Sequence, residues 1–195
     1  MEITAVMVKE LRSQSGAGIM ECKTALKETN GDVEEAITFL RKKGLAKADK
    51  KADRNTSEGK IGTYIHQGGK IGVMLQLNCE TDFVANTPDF EGLVRDIAMH
   101  IAAAKPRFAT REEVTEEVLG KEREIFAHQA KESGKPENII EKIVTGKMEK
   151  FYEENCVLEQ AFVKDTDITI GDLIKQKIAL LGENINIGKF ARYEI

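Results

Sequence analysis

Asp82 and Phe83, an acid beside a large aromatic, stand between an apolar run and a helix start. The run enters through Val73, Leu75, Leu77 and Cys79, and Thr87-Pro88-Asp89 opens the helix. Thr81-Asp82-Phe83-Val84 therefore falls on a tight strand-to-helix connection. The chemistry such a stretch offers is recognition: an aromatic on a rigidly anchored loop serves as a binding anchor. The plainer alternative folds Phe83 back under the sheet as core. Other reactive types do not gather. His66, His100 and His128 have no metal-ligand spacing, and the carboxylates spread over helix faces as solvating charge. No GxxxxGK[ST], GxSxG or HExxH occurs, and Gly16-Ala17-Gly18 lacks the third glycine and the preceding strand of a dinucleotide fingerprint. An enzyme with an unrecognised site is the weakest reading; no catalytic, metal or cofactor residues are expected.

The chain has 195 residues, 41% apolar and 32% charged, with a net charge of -4. That length suits one large domain or two small ones. The acidic balance argues against nonspecific binding to nucleic acid or anionic membrane, and Asp49 and Asp53 interrupt the basic run from Lys47 to Arg54. Met1-Glu2-Ile3 does not start a signal peptide, and no apolar run approaches the ~20 residues of a membrane span. Cys22, Cys79 and Cys156 are odd in number and far apart, which argues against a disulfide framework; Cys22 and Cys79 are expected as buried thiols. A cytosolic protein is expected.

The elements that must position these residues follow from periodicity. Residues 1–44 read as three short helices. Thr4 caps the first, with Ile3 and Val8 as a hydrophobic staple. Ile19, Cys22, Ala25 and Leu26 stripe the second. Asp32 caps the third, whose stripe is Val33, Ala36, Ile37 and Leu40 and whose end is set at Gly44. Residues 45–60 read as a linker. From 61 to 111 the period changes to two: Ile61, Thr63 and Ile65, a turn at His66-Gln67-Gly68-Gly69-Lys70, then Ile71 to Cys79. A helix follows, with Phe90, Leu93, Val94, Ile97, Ala98 and Ile101 buried. Residues 112–154 read as an antiparallel helical hairpin joined at Ser133-Gly134-Lys135-Pro136, with Val114, Val118 and Ile125 facing Ile140, Val144, Met148 and Phe151. Residues 155–195 add a strand at 157–162, a helix at 169–181 and a last strand at 184–193. The fold class is α+β.

Two long motifs in this order resemble the translation elongation factor Ts family. One is Val8-Lys9-Glu10-Leu11-Arg12 with Gly16-Ala17-Gly18-Ile19-Met20-Glu21-Cys22; the other is Asn78-Cys79-Glu80-Thr81-Asp82-Phe83-Val84-Ala85. Ala98-Met99-His100-Ile101 and Gly182-Glu183-Asn184-Ile185-Asn186-Ile187 extend the similarity over essentially the whole chain. The resemblance implies a ubiquitin-associated-like N-terminal bundle, an α+β core with an antiparallel sheet and a coiled-coil hairpin. It implies a guanine nucleotide exchange factor that binds the GDP form of elongation factor Tu. Thr81, Asp82, Phe83 and Val84 would dislodge the partner's Mg²⁺, while Arg12, Gly16, Ala17, Gly18, Ile19 and Met20 would dock its nucleotide domain. Asp82 would repel phosphate, compete for a water of the metal, or only cap the loop.

The resemblance implies longer relatives with two copies of the hairpin-plus-helix subdomain; here one hairpin carries both the His66–Lys70 turn and the Thr81–Val84 motif, and no helical extension is expected after Ile195. A homodimer is the expected consequence, built from the core with Ile185 and Ile187 on one face of the last strand; the competing explanation is a monomer whose hairpin is covered by its own helices. The rival reading is an adaptor whose helical bundle binds a protein without nucleotide exchange.

Overall fold

Thr4 starts the first helix as its sequence position predicts, its side chain accepting the Met7 amide at 3.3 Å. The computed structural model describes residues 3–132, 134 and 136–195. Met1, Glu2, Ser133 and Lys135, which carry parts of the expected start and hairpin turn, lie outside the described residues. The chain forms two compact units. One gathers the chain through Lys60 with Asn78–Leu93 and Ile174–Asn186; the other holds Ile61–Leu77, Val94–Leu173 and Ile187–Ile195.

In the first unit, α1 (Ala5–Ser15), α2 (Ile19–Glu28) and α3 (Val33–Asp49) form a bundle. Its core is Val8, Leu11, Cys22, Ala25, Leu26 and Ala36, with Ile3 packed against it. The Asp32 carboxylate accepts the Glu35 amide at 2.8 Å and caps α3. Two expectations change here. Helix α3 does not stop at Gly44 but runs to Asp49, so the first part of the expected linker is helical. Gly44 is a close-approach residue, not a stop: a Cβ there would meet the Ala179 Cβ at 3.2 Å. Ion pairs of Lys47 with Glu21 and of Asp49 with Lys175 hold the added turn. Ile19 also leaves the buried stripe and is 56% exposed.

The second unit holds most of a sheet of order β1-β2-β5, made of β1 (Glu58–Ile65), β2 (Ile71–Cys79) and β5 (Ile185–Glu194). The hairpin turn closes with the His66 amide on the Ile71 carbonyl at 2.8 Å, and Gly68 and Gly69 take φ of 93° and 71°. The Ile195 amide on the Lys70 carbonyl at 3.0 Å sets β5 antiparallel to β2. Val73, Leu75 and Leu77 turn one face of β2 inward. Helix α5 (Pro88–Ala104) buries the whole expected stripe from Phe90 to Ile101. Gly62 lets β1 approach that helix, since a Cβ there would fall 2.1 Å from Val94 Cγ1.

The apolar alternation of β1 proves to lie on the open face: Ile61 is 69% and Ile65 65% exposed. Met74 of β2 and Tyr193 of β5, 54% and 74% exposed, belong to the same face. A Cβ at Gly72, which shares the parity of Met74, would meet the Ile65 side chain, while Arg192 turns the other way and donates to the Ala102 carbonyl of α5. Ile185 and Ile187 are buried within the chain, which corrects their expected place on a subunit contact.

Helices α6 (Glu116–Glu132) and α7 (Glu137–Asn155) form the expected hairpin. Val114, Leu119, Met148 and Phe151 are buried in it together with Cys156, whose thiol burial pushes up to about 11. Ile125 is 48% exposed; its neighbour Phe126 packs on the seam instead. At the base, Arg111 pairs with Glu149 and Glu159 and lies 4.4 Å from the Tyr152 ring centroid. The strand expected at 157–162 is a 3₁₀ turn, Val157–Glu159, followed by β3 (Ala161–Phe162), which pairs antiparallel with β4 (Asp165–Thr169). Buried Gln160 joins this region: it lies 2.9 Å from His100 Nε2, donates to the Glu154 carbonyl at 2.7 Å and accepts the Ile170 amide at 3.0 Å. Ile170 begins α8 (Ile170–Leu181). Among the described residues no helix is long and apolar enough to cross a membrane.

Candidate partner-binding surfaces

Cys79 ends β2 buried, and its thiol donates to the Thr81 carbonyl at 3.1 Å. Thr81 is extended, with φ -131° and ψ 155°, and caps a single helical turn, α4 (Asp82–Ala85), by accepting the Val84 amide at 3.4 Å. The expected loop is thus one turn of helix. Asn86 closes it, its amide and side chain both donating to the Asp82 carbonyl, at 3.1 and 2.9 Å. Thr87 then caps α5 by accepting the Phe90 amide at 3.2 Å, while its hydroxyl donates to the Val84 carbonyl at 2.8 Å.

The four predicted residues separate by role. Thr81 and Val84 are half-buried and, with buried Ala85 beside them, hold the turn. Asp82 and Phe83 point outward, and Phe83 is 83% exposed. The core alternative for Phe83 is therefore not what the fold adopts.

The corner between α8 and β5 supplies residues that sequence reasoning had not assigned to the site. The Glu183 carboxylate accepts the Thr81 amide at 3.0 Å and the Thr81 hydroxyl at 2.7 Å. Glu80 accepts the Asn184 amide at 2.7 Å and pairs with Arg54 at 3.4 Å. Asn184, 4% exposed, donates to the Ala52 and Arg54 carbonyls at 3.0 and 2.9 Å. The only sequence signal for them was their place in a family-like motif.

On the bundle, Gly16 ends α1 with φ 67°, a value that suits glycine, and its amide reaches the Arg12 carbonyl at 2.9 Å. The Gly18 amide donates to Glu21 at 3.4 Å. The Lys47 ammonium on Glu21 holds that carboxyl below its ordinary value. Ala17 is half-buried against the bundle core, whereas Ile19 and Met20, 56% and 71% exposed, open α2. Arg12 and Ile19 line a groove of about 440 Å³ together with Ile3, Ala5, Val8, Lys9 and Lys23. Met20 and the glycines are not among its lining. The groove is apolar at its floor and carries three cationic side chains, Lys9, Arg12 and Lys23. Lys9 and Lys23 carry no sequence signal that marks them out, because charged residues on helix faces read by default as solvated.

Fold and surfaces together define an α+β protein with an N-terminal helical bundle, an antiparallel sheet and a helical hairpin, and with exposed apolar side chains set on pinned backbone. The family model for elongation factor TS matches residues 4–195. Elongation factor Ts of Fervidobacterium nodosum is 60% identical over 195 residues, spanning 100% of this chain and 99% of that protein. Elongation factor Ts of Syntrophomonas wolfei is 60% identical over 99% of this chain and 90% of its own length, and that of Geobacter metallireducens 57% over 100% and 90%. The chain belongs to the elongation factor Ts family.

Proposed function

We propose that the chain is a guanine nucleotide exchange factor for elongation factor Tu, acting in the cytoplasm during polypeptide elongation and performing no covalent chemistry. It binds the GDP complex and speeds GDP release. The observation that carries this reading is Phe83, held 83% exposed on a pinned turn. Burying a phenylalanine in a partner yields about 1.5–3 kcal/mol, enough for one or two orders of magnitude in affinity. Mg²⁺ needs near-octahedral oxygen ligands at about 2.0–2.1 Å, so a wedge that shifts the partner's metal-binding segments weakens the nucleotide site steeply. Linkage makes the effect reciprocal: GDP weakens factor binding as much as the factor weakens GDP binding. The groove and Ile19 and Met20 supply docking area, and the groove's cations favour an acidic patch on the partner. The net charge of -4 speaks against a direct nucleic-acid partner.

Release of a fluorescent GDP analogue from elongation factor Tu tests the reading. Acceleration that saturates with added factor is the expected result. Binding without acceleration would instead establish the adaptor reading, in which the bundle docks and nothing is released.

We further propose a homodimer, paired through the open sheet face that carries Ile61, Ile65, Met74 and Tyr193. Apolar patches of this kind mark association surfaces, and two-fold pairing is the commonest closed solution.

A further inference from the structure

A four-residue helix cannot hold itself. Nucleation of one helical turn is unfavourable, and α4 has only Asp82–Ala85 to offer. Phe83 is 83% exposed, so packing does little to fix its direction. The direction must come from backbone anchors at the ends of the turn. At the C-terminal end, Asn86 and Thr87 bond within the local segment. At the N-terminal end the anchor is remote: the Glu183 carboxylate takes both donors of Thr81, the amide at 3.0 Å and the hydroxyl at 2.7 Å. Hydrogen bonds to an ionised acceptor are about twice as strong as neutral ones, and two on one residue fix orientation as well as position. Thr81 uses the same hydroxyl oxygen to accept the Val84 amide, so Glu183 also sets the cap.

The anchor is itself immobilised. Asn184, next in the chain, is buried and makes three hydrogen bonds, to Glu80, Ala52 and Arg54. Glu80 adds a second tie across the same corner, because it stands next to Thr81 and accepts from Asn184. Two carboxylates thus cross between the β2 end and the α8–β5 corner in opposite directions.

We propose that Glu183 is a positioning residue for nucleotide release: it orients the turn that presents Phe83 and thereby sets the rate of release at saturation, without contacting the partner. The proposal rests on the reading of Phe83 as the group that enters the partner. Holding the turn in its active direction lowers the ordering cost of the release step, in which the aromatic enters the partner, while docking itself rests on the bundle.

The test measures GDP-analogue release from elongation factor Tu across factor concentrations, with amide hydrogen exchange on the free protein as a second readout. Glu183→Ala is expected to lower the maximal release rate by about tenfold, the loss of a charge-assisted anchor, with less than about a twofold change in half-saturating concentration. Glu183→Gln keeps one acceptor and is expected to fall between wild type and Glu183→Ala. Exchange at the Thr81 and Val84 amides should speed up in Glu183→Ala. In a Phe83→Ala background the Glu183→Ala effect on the maximal rate should vanish, since nothing is left to orient. Additive losses in that double variant overturn the proposal, as does a loss confined to half-saturating concentration. If Glu183→Ala fails to fold, Glu183→Gln carries the same cycle. If the wild-type chain releases no GDP, the proposed function fails, and amide exchange alone decides whether Glu183 pins the turn: unchanged exchange overturns it.

Discussion

Phe83 is an apolar side chain that the fold leaves unused, and that makes its energetic signature distinctive. Core phenylalanines lose several kcal/mol of stability on truncation, but one that is 83% exposed has little to lose in the free protein. Phe83→Ala should therefore slow maximal GDP release by about tenfold to a hundredfold, the value of one buried aromatic. The urea midpoint should stay at the wild-type value, and a shifted midpoint would return Phe83 to a structural role. His100 presents the opposite case. It is 0% exposed, its Nε2 faces Gln160, and its Nδ1 has no partner among the described residues. Burial holds its pKa below the ordinary 6.5. The unfolded chain takes up a proton at 6.5 that the folded chain refuses. The stability carried by neutral His100 is therefore full above that pH and falls as the pH drops toward the depressed folded value. An NMR titration of the His100 ring should give a midpoint below 6.5; a midpoint at or above it contradicts the buried geometry.

Close approach of elements depends on a few small residues, and Gly62 is the tightest case. A Cβ at Gly62 falls 2.1 Å from Val94 Cγ1, far inside contact distance, and valine has little rotamer freedom to yield. Gly62→Ala should cost about 1–3 kcal/mol by overpacking, seen as a lower urea midpoint with an unchanged slope. An unaltered midpoint would mean that β1 sits farther from α5. The helices were legible in the sequence because their signals are local: caps at Thr4, Asp32 and Thr87, and buried stripes at helical spacing. The exposed aromatic was legible as a place but not as a conformation, since Phe83 fits a core or a surface equally well by type. Three features could not be read locally. Gly44 looks like a stop until Ala179 is seen beside it, Ile61 and Ile65 look like core until the sheet shows which face is covered, and Glu183 looks like surface charge until Thr81 lies against it. Each depends on a partner far along the chain, where periodicity carries no information.

At the scale of the whole molecule the open sheet face is the feature that the chain alone leaves unsatisfied. Ile61, Ile65, Met74 and Tyr193 are each more than half exposed there. Sedimentation equilibrium at micromolar concentration should give about twice 21.7 kDa, and Ile65→Asp should return the mass to 21.7 kDa with the fold intact. A wild-type mass of 21.7 kDa throughout would exclude the dimer. Ile187→Asp is no test of it, because that residue is core and the charge would unfold the chain.

The tie between Thr81 and Glu183 spans 102 positions of sequence, and that separation acts on time as well as space. A ribosome adds about 5–20 residues per second, so roughly 5 to 20 s pass between synthesis of the aromatic turn and synthesis of its seat. A nascent chain in that interval can fold its N-terminal bundle, whose core from Ile3 to Leu40 is local in sequence, yet it holds Phe83 on an unsecured turn. Under the proposed function, newly made protein thus gains its docking bundle before its fixed wedge, and synthesis of the α8–β5 corner completes it.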